Sequence, residues 1–76
     1  MQFKLLGIQP INFTNKNGEV ISGTNIYVAY ADENVTGLKS DKFFLKEEIN
    51  LPDCKPNDNL QLAFDMRGRV INIEKV

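Results

Sequence analysis

The sequence predicts an all-β protein: a small five-stranded OB-like barrel with a protruding hairpin arm and no substantial helix. Short apolar runs that alternate with polar residues recur along the chain, and glycines and asparagines separate them. The longest stretch without a strand pattern, residues 48–58, contains two prolines and has room for at most one helical turn. Strand and turn signals spaced in this way are typical of small barrels, and an SH3-like barrel is the near alternative.

Length and charge limit the architecture and the partners. The chain has 76 residues, so a single domain over residues 1–76 is expected. A domain of this size buries only about 60% of its unfolded surface, and a homodimer would add buried apolar area. Nine basic and ten acidic residues give a net charge of -1, which argues against indiscriminate binding to nucleic acid but leaves room for a local basic face.

The first strand is predicted over residues 2–13, with an interruption at Gly7. A lone glycine inside a strand indicates a bulge or a sharp bend, and Pro10, which lacks a backbone donor, belongs at an edge or at the bend itself. By simple parity, four apolar side chains are expected on one face of this strand: Phe3, Leu5, Ile11 and Phe13.

A second strand is predicted over residues 19–31, with a break near residues 22–23. The Asn-Gly pair before it is a strong hairpin signal, so residues 15–23 are expected to form the outer part of a long arm with Lys16 at its tip. In the inner part, Ile26, Val28 and Tyr30 are expected on one face, and Tyr27, Ala29 and Ala31 on the other. This alternation makes Tyr30 a core residue and Tyr27 a candidate surface ring.

A third strand is predicted over residues 41–47, with two faces of different chemistry. One face carries Phe43 and Leu45, and the other carries Lys42, Phe44 and Lys46. An aromatic ring between two lysines is typical of proteins that bind single strands, because the ring stacks on a base and the ammonium groups meet the flanking phosphates. The alternative is that a neighbouring subunit covers Phe44 while the lysines stay solvated.

Residues 59–76 predict a closing hairpin whose turn is made by Arg67 and Gly68. The glycine supplies the positive φ that a tight turn requires. Together with Arg69, Arg67 places two positive charges at the tip. In the loop before this hairpin, Leu51 is expected to anchor the chain to the core.

The composition offers little to a catalytic or metal-binding function. Cys54 is the only cysteine and histidine is absent, which excludes an internal disulfide, a zinc site of Cys and His ligands, and the commonest general base. We therefore expect no enzyme activity, cofactor, metal or small-molecule substrate, and Cys54 to be a small packing residue. Residues 1–7 are too short for a signal peptide or a membrane span, so a cytoplasmic protein without membrane contact is expected.

Part of the arm resembles a known family. The matching residues are Phe13-Thr14, Lys16, Gly18 and Gly23. In type and spacing they resemble the arm of the filamentous-phage gene V protein-like single-stranded DNA-binding proteins. The resemblance implies a small dimeric barrel that coats single-stranded DNA during DNA replication in phages or mobile elements, with Lys16 on the phosphates. Ile21 and Ile26 stand where the family has a basic residue and a stacking aromatic, and Tyr27 lies one position away.

The residues leave two functions open. The first is binding of single-stranded DNA with weak sequence specificity. Its candidate phosphate contacts are Lys16, Lys42, Lys46, Arg67 and Arg69, and its candidate stacking rings are Tyr27 and Phe44. The second is a protein–protein interaction module without a nucleic acid partner, in which the same two rings anchor a partner strand or a second copy.

Overall fold

A computed structural model describes residues 2–76, which form five antiparallel strands in one sheet. The strands are β1 Gln2–Thr14, β2 Val20–Ala31, β3 Leu38–Lys46, β4 Asn59–Phe64 and β5 Val70–Lys75. The prediction of an all-β chain with five strands is confirmed, although β3 begins at Leu38 rather than at Asp41. No helix in residues 2–76 is long and apolar enough to cross a membrane.

The strand order is that of a Greek key. The sheet runs β3-β2-β1-β4-β5, so three hairpin-linked strands are followed by a fourth that returns beside the first. The long connection over residues 47–58 makes this return. β3 and β5, the two ends of the sheet, approach each other without the backbone pairing that would join them. The sheet is therefore barrel-like but not closed, as in the partly open five-stranded OB barrels.

A β-bulge in β1 decides which of its residues face the core. The register with β2 shifts between Leu5 and Gly7. Because one extra residue reverses the parity of a strand, Phe3 and Leu5 are buried, whereas Ile11 and Phe13 lie on the opposite face. The predicted bulge is confirmed, but the expectation that these four side chains share one face is wrong.

Beyond the bulge, the β1–β2 hairpin projects as an arm. β1 pairs there with β2 alone, because β4 pairs only with Gln2 to Lys4, and Pro10 lies on the resulting edge as predicted. β2 runs through residues 22–23 without interruption, so the predicted break is wrong. Gly23 makes room for a neighbour instead, since a Cβ there would lie 2.5 Å from Cζ of Phe44.

The buried side chains form one core cluster. Its members are Phe3, Leu5, Ile26, Val28, Leu45, Leu60, Leu62, Val70 and Ile73. Partly buried residues packed against it include Tyr30, Leu51 and Cys54, as the sequence predicted. Aromatic rings meet edge to face around the cluster, with centroids 5.1 Å apart for Phe3 and Tyr30 and 5.3 Å apart for Phe43 and Phe64. Edge-to-face contacts of this kind add to the stabilisation from burial alone.

Candidate nucleic-acid interface

The outward-facing residues of β1, β2 and β3 form one continuous surface, which we call the arm face. Cross-strand partners in an antiparallel sheet point to the same side, so the pairing registers identify its members. Its large side chains are Lys4, Gln9, Ile11, Phe13, Ile21, Asn25, Tyr27, Leu38, Lys42, Phe44 and Lys46. Its small residues are Gly7, Gly23, Ala29, Ala31 and Ser40. The arm face thus combines aromatic, amide and lysine side chains from three strands.

Tyr27 presents a fixed ring on the arm face. It lies opposite Gly7 on β1 and Lys42 on β3. The ring packs against the glycine, with Cδ2 3.8 Å from where a Cβ on Gly7 would be, and the hydroxyl donates to Oε1 of Gln9 at 2.7 Å. These contacts hold the side chain while 38% of the residue remains exposed. Tyr27 is therefore an oriented surface ring.

Phe44 is a second exposed ring, and the alternation in β3 places it between two exposed lysines as predicted. It lies opposite Asn25 on β2, and its ring extends over Gly23. A Cβ on that glycine would lie 2.8 Å from Cε1 of the ring, so only a glycine lets the ring approach the backbone this closely. An aromatic packed on a strand glycine is a rigid platform, and 43% of Phe44 is still exposed.

Phe13 is a third exposed ring that parity alone had assigned to the wrong side. It pairs with Ile21 near the end of the arm and is 53% exposed. The signal that could have found it is Gly7, because a bulge there reverses the face of every later residue in β1. The aromatic residues thus divide into two groups. Phe3, Tyr30, Phe43 and Phe64 contact one another at the core, and Phe13, Tyr27 and Phe44 line the arm face.

The arm face is basic although the chain is not. Lys4, Lys42 and Lys46 give it three positive charges, and none of the ten acidic residues occupies a position on it. The carboxylates lie in turns, in the 47–58 connection, on β5, or, for Asp41, on the opposite side of β3. Glu19, in the β1–β2 turn, is the carboxylate beside the outer end of the arm face. In the part of the chain that the structure describes, the ion pairs are Lys39–Asp32, Arg69–Asp65 and Lys75–Asp58. The three lysines of the arm face are therefore available to an external anion.

Lys16 lies apart from the centre of the arm face. It is exposed in the turn that joins β1 and β2, and it takes part in none of the ion pairs described above. Pairing between β2 and β3 begins at Gly23. β2 itself begins at Val20, about 10 Å further out along the arm. Lys16 can therefore extend the arm face but does not adjoin Lys42.

The two arginines of the closing hairpin have different surroundings. Nε of Arg69 donates to Oδ2 of Asp65 at 2.9 Å, so its charge is partly neutralised. Arg69 and Lys46 both line a cleft between the closing turn and the end of β3. Arg67 is exposed at the tip and is absent from the ion pairs formed within residues 2–76. Arg69 thus lies close to the arm face, but its guanidinium group is already paired with the carboxylate of Asp65.

Four of the seven predicted contact residues lie together on the arm face: Tyr27, Lys42, Phe44 and Lys46. The other three, Lys16, Arg67 and Arg69, lie in the two hairpin turns. The structure adds residues that the sequence reasoning did not select, namely Lys4, Gln9, Phe13 and Asn25. The arrangement offers rings for stacking, amides for hydrogen bonds and ammonium groups for phosphates on one surface.

Other reactive groups are sparse in the described residues. Burial, assisted by the nearby carboxylates of Asp58 and Asp53, raises the pKa of the Cys54 thiol, which lowers its thiolate fraction at neutral pH. Residues 2–76 contain no group of three or more His, Cys, Asp or Glu side chains that could hold a metal ion. The arm face is the one surface described here on which several binding groups converge.

Comparisons with known proteins found no match. Protein-family models, curated proteins and solved structures were compared with the chain, and none of them matches it. The likeness of the arm to the gene V protein-like family therefore stays a prediction from the residues themselves.

Proposed function

We propose that this protein binds single-stranded DNA on its arm face with weak sequence specificity. One observation carries the proposal: three exposed aromatic rings and three lysines, all outside the ion pairs formed within residues 2–76, share a surface whose strand positions hold no carboxylate. A chain with a net charge of -1 gathers positive charge in this way only by placing all ten of its acidic residues elsewhere. The wider role, coating single strands of a phage or mobile element during DNA replication, follows from the resemblance of the arm.

The chemistry of each group determines its role in binding. Bases stack on the rings of Phe13, Tyr27 and Phe44, and each stacked base is worth roughly 1–3 kcal/mol. Lys42 and Lys46 flank the Phe44 ring along β3, so their ammonium groups meet the phosphates on either side of the base. Lys16 and Arg67 supply further contacts from the two turns, and Arg69 would have to share its charge with Asp65. A duplex is a poor ligand because its bases are already stacked and paired.

The first experiment measures affinity for a short oligo-dT and for the matching duplex at several salt concentrations, by fluorescence anisotropy. We expect binding to the single strand alone, with log K falling by about 0.7 per log unit of salt for each phosphate that is neutralised. The double variant Lys42→Ala/Lys46→Ala should therefore flatten the slope by about 1.4. Lys55→Ala is the matched control, because Lys55 is also exposed and outside the ion pairs but lies in the 47–58 connection.

Phe44→Ala tests the stacking role separately from charge. We expect it to weaken binding to oligo-dT by roughly fivefold or more without changing the salt slope, since one stacked base is lost and no phosphate contact is. Absence of any binding to oligo-dT at low salt, with the protein at tens of micromolar, would reject the proposed function.

A protein-interaction function is the second candidate, and the free edges of β3 and β5 favour it. Each of these strands pairs on one side only, and an exposed strand edge can accept a strand from another chain or from a second copy. We expect a homodimer formed in this way to appear as a single species of twice the monomer mass in sedimentation equilibrium. A Phe44→Ala variant that becomes monomeric while the wild type binds no DNA would favour this function over the first.

A further inference from the structure

The centre of the arm face is a pair of amide side chains enclosed by aromatic rings. Gln9 and Asn25 are direct cross-strand partners of β1 and β2. Tyr27 follows two residues after Asn25 on the same face of β2, and Phe44 is the partner of Asn25 on β3. Neighbours at these positions lie within about 8 Å of each other, the range over which side chains in a sheet interact. A base stacked on either ring can therefore place its edge over the amides.

The hydroxyl of Tyr27 orients the Gln9 amide. It donates to Oε1 of Gln9 at 2.7 Å, which leaves both N–H groups of Nε2 directed away from that bond. The amide of Asn25 makes no side-chain hydrogen bond within residues 2–76, so its carbonyl oxygen and its amino group are both open. The Asn25 amide is free to turn its carbonyl oxygen toward a Gln9 N–H, which is the favourable orientation beside a donor, and the two amides then present a donor, an acceptor and a donor.

This donor–acceptor–donor series complements one kind of base edge. Thymine and uracil present a carbonyl oxygen, an N3–H and a second carbonyl oxygen, which are an acceptor, a donor and an acceptor. Cytosine presents two acceptors and then an amino donor, so two of its three contacts with such a series place groups of the same kind against each other. Unpaired bases in single strands expose their hydrogen-bonding edges, which side chains can contact directly.

We propose that Gln9 and Asn25 read the edge of a base stacked beside them and prefer thymine or uracil to cytosine. The inference rests on the proposed function, because it concerns the same surface. Tyr27 has a second role in it as a positioning residue, since its hydroxyl acts on the base only through Gln9. The weak sequence specificity expected of the arm face then arises from these two amides.

The test compares dissociation constants for oligo-dT and oligo-dC of equal length at one salt concentration. Both are pyrimidine strands with the same backbone, so the ratio of the two constants removes the phosphate contacts. The variants then separate the base edge from differences in stacking. We expect the wild type to bind oligo-dT roughly threefold to tenfold more tightly, the effect of one or two hydrogen bonds between neutral groups.

Two variants test whether Gln9 causes the preference for oligo-dT, and a third is the control. Gln9→Met keeps the length of the side chain and removes its donors, and Tyr27→Phe keeps the ring and removes the hydroxyl that orients Gln9. Each should bring the ratio to within about twofold of unity. Gln61→Met is the matched control, because Gln61 is an exposed amide on the outward side of β4, and it should leave the ratio unchanged.

The possible outcomes separate the two proposals. A wild-type protein that binds oligo-dT and oligo-dC equally overturns the base-edge inference and leaves the single-strand function standing. A preference for oligo-dT that survives in both Gln9→Met and Tyr27→Phe overturns it as well. A wild-type protein that binds neither strand rejects the proposed function and the inference with it.

Discussion

Two of the β-hairpins of this protein, β1–β2 and β4–β5, have the same kind of turn but carry different side chains on their strands. In the arm, Asn15 and Glu19 close the turn by a backbone bond of 2.9 Å, and Oδ1 of Asn15 accepts the N–H of Asn17 and of Glu19. The closing hairpin repeats the pattern with Asp65 and Arg69, and Oδ1 of Asp65 accepts two N–H groups at 2.9 Å. The fourth residue of each turn is a glycine with φ 79°.

Outside the turns the two hairpins have little in common. The inward residues of the closing hairpin, such as Leu60, Leu62 and Ile73, are core residues, and its outward positions hold the amides Gln61 and Asn72. The outer half of the arm contributes nothing to the core, and its outward positions belong to the arm face. Turn chemistry therefore sets only where the chain reverses. Burial on one side of the strands provides stability, and the exposed side carries the groups that we propose bind single-stranded DNA.

The largest test of this contrast compares Leu60→Ala with Phe13→Ala. Leu60 is fully buried, so its truncation should lower the free energy of unfolding by about 2–5 kcal/mol. Phe13→Ala removes a larger side chain, but more than half of Phe13 is exposed. The free energy of unfolding should therefore fall by less than about 1 kcal/mol. Urea denaturation measures both values. Equal losses of stability would show that the arm is as much a part of the core structure as the closing hairpin.

A second test concerns the contact that joins the arm to β3. Gly23→Ala places a Cβ 2.5 Å from Cζ of Phe44 and even closer to the carbonyl oxygen of Leu45, so we expect a loss of about 1–3 kcal/mol. Gly7→Ala is the control, because its Cβ would meet Tyr27 at an ordinary 3.8 Å. Thermal unfolding of the two variants gives the comparison, and a Gly23→Ala protein as stable as Gly7→Ala would contradict the packing of Phe44.

The equivalence of the two turns is tested by Gly18→Ala and Gly68→Ala. No atom lies within 4 Å of a Cβ built on either glycine, so the cost is that of the left-handed backbone alone, about 1 kcal/mol in each case. Asn at either position should cost less, because asparagine tolerates this conformation better than other residues. Chemical denaturation that gave clearly unequal costs would show that the two turns are not energetically alike.

The smallest expected effect is a difference in pH dependence between the turns. The backbone N–H of Arg69, and then its side chain and the N–H of Arg67, hold the pKa of Asp65 below its ordinary value. A lowered pKa in the folded state stabilises the protein above the unfolded pKa of about 3.9, and this contribution is lost as the pH falls through the folded value. Asp65→Asn should therefore reduce the loss of stability below about pH 4, whereas Asn15→Asp should increase it.

Denaturant titrations at pH 7 and pH 3 measure this difference. Asp58, whose pKa is lowered chiefly by the backbone N–H of Lys55, remains in both variants and sets the common background. An Asp65→Asn protein that loses as much stability in acid as the wild type would show that the carboxylate cap of the closing turn has no part in acid unfolding.

Much of the fold could be predicted from local patterns. The alternation around Phe44, the glycines of the two turns and the isolated Gly7 in β1 each depend on a few neighbouring residues, and the strand count, both hairpins and the bulge are confirmed. The outer face of the third strand was predicted correctly because alternation within one regular strand needs no other information. The same reasoning failed for Phe13, since the parity of β1 depends on whether a bulge precedes it.

The candidate site was predictable only in part, because it joins three strands. Lys42, Phe44 and Lys46 are adjacent on one strand, and the sequence pointed to them directly. That Tyr27 lies opposite Lys42, that Gln9 accepts a bond from Tyr27 and that Gly23 lies beneath Phe44 are consequences of register. Nothing in the sequence near Gly23 distinguishes a glycine that breaks a strand from one that accommodates a ring.

By itself, the sequence determined the class of the fold, the places where the chain reverses and the alternation within each regular strand, since all of these arise from short-range backbone and side-chain preferences. Only the tertiary structure decided which side chains of different strands share one face of the sheet. The bulge at Gly7 and the registers of β1 with β2 and of β2 with β3 bring three rings and three lysines onto one surface and leave every carboxylate off it. The physical reason is that a shift of one residue turns a whole strand over, and that shift is set by packing between distant segments.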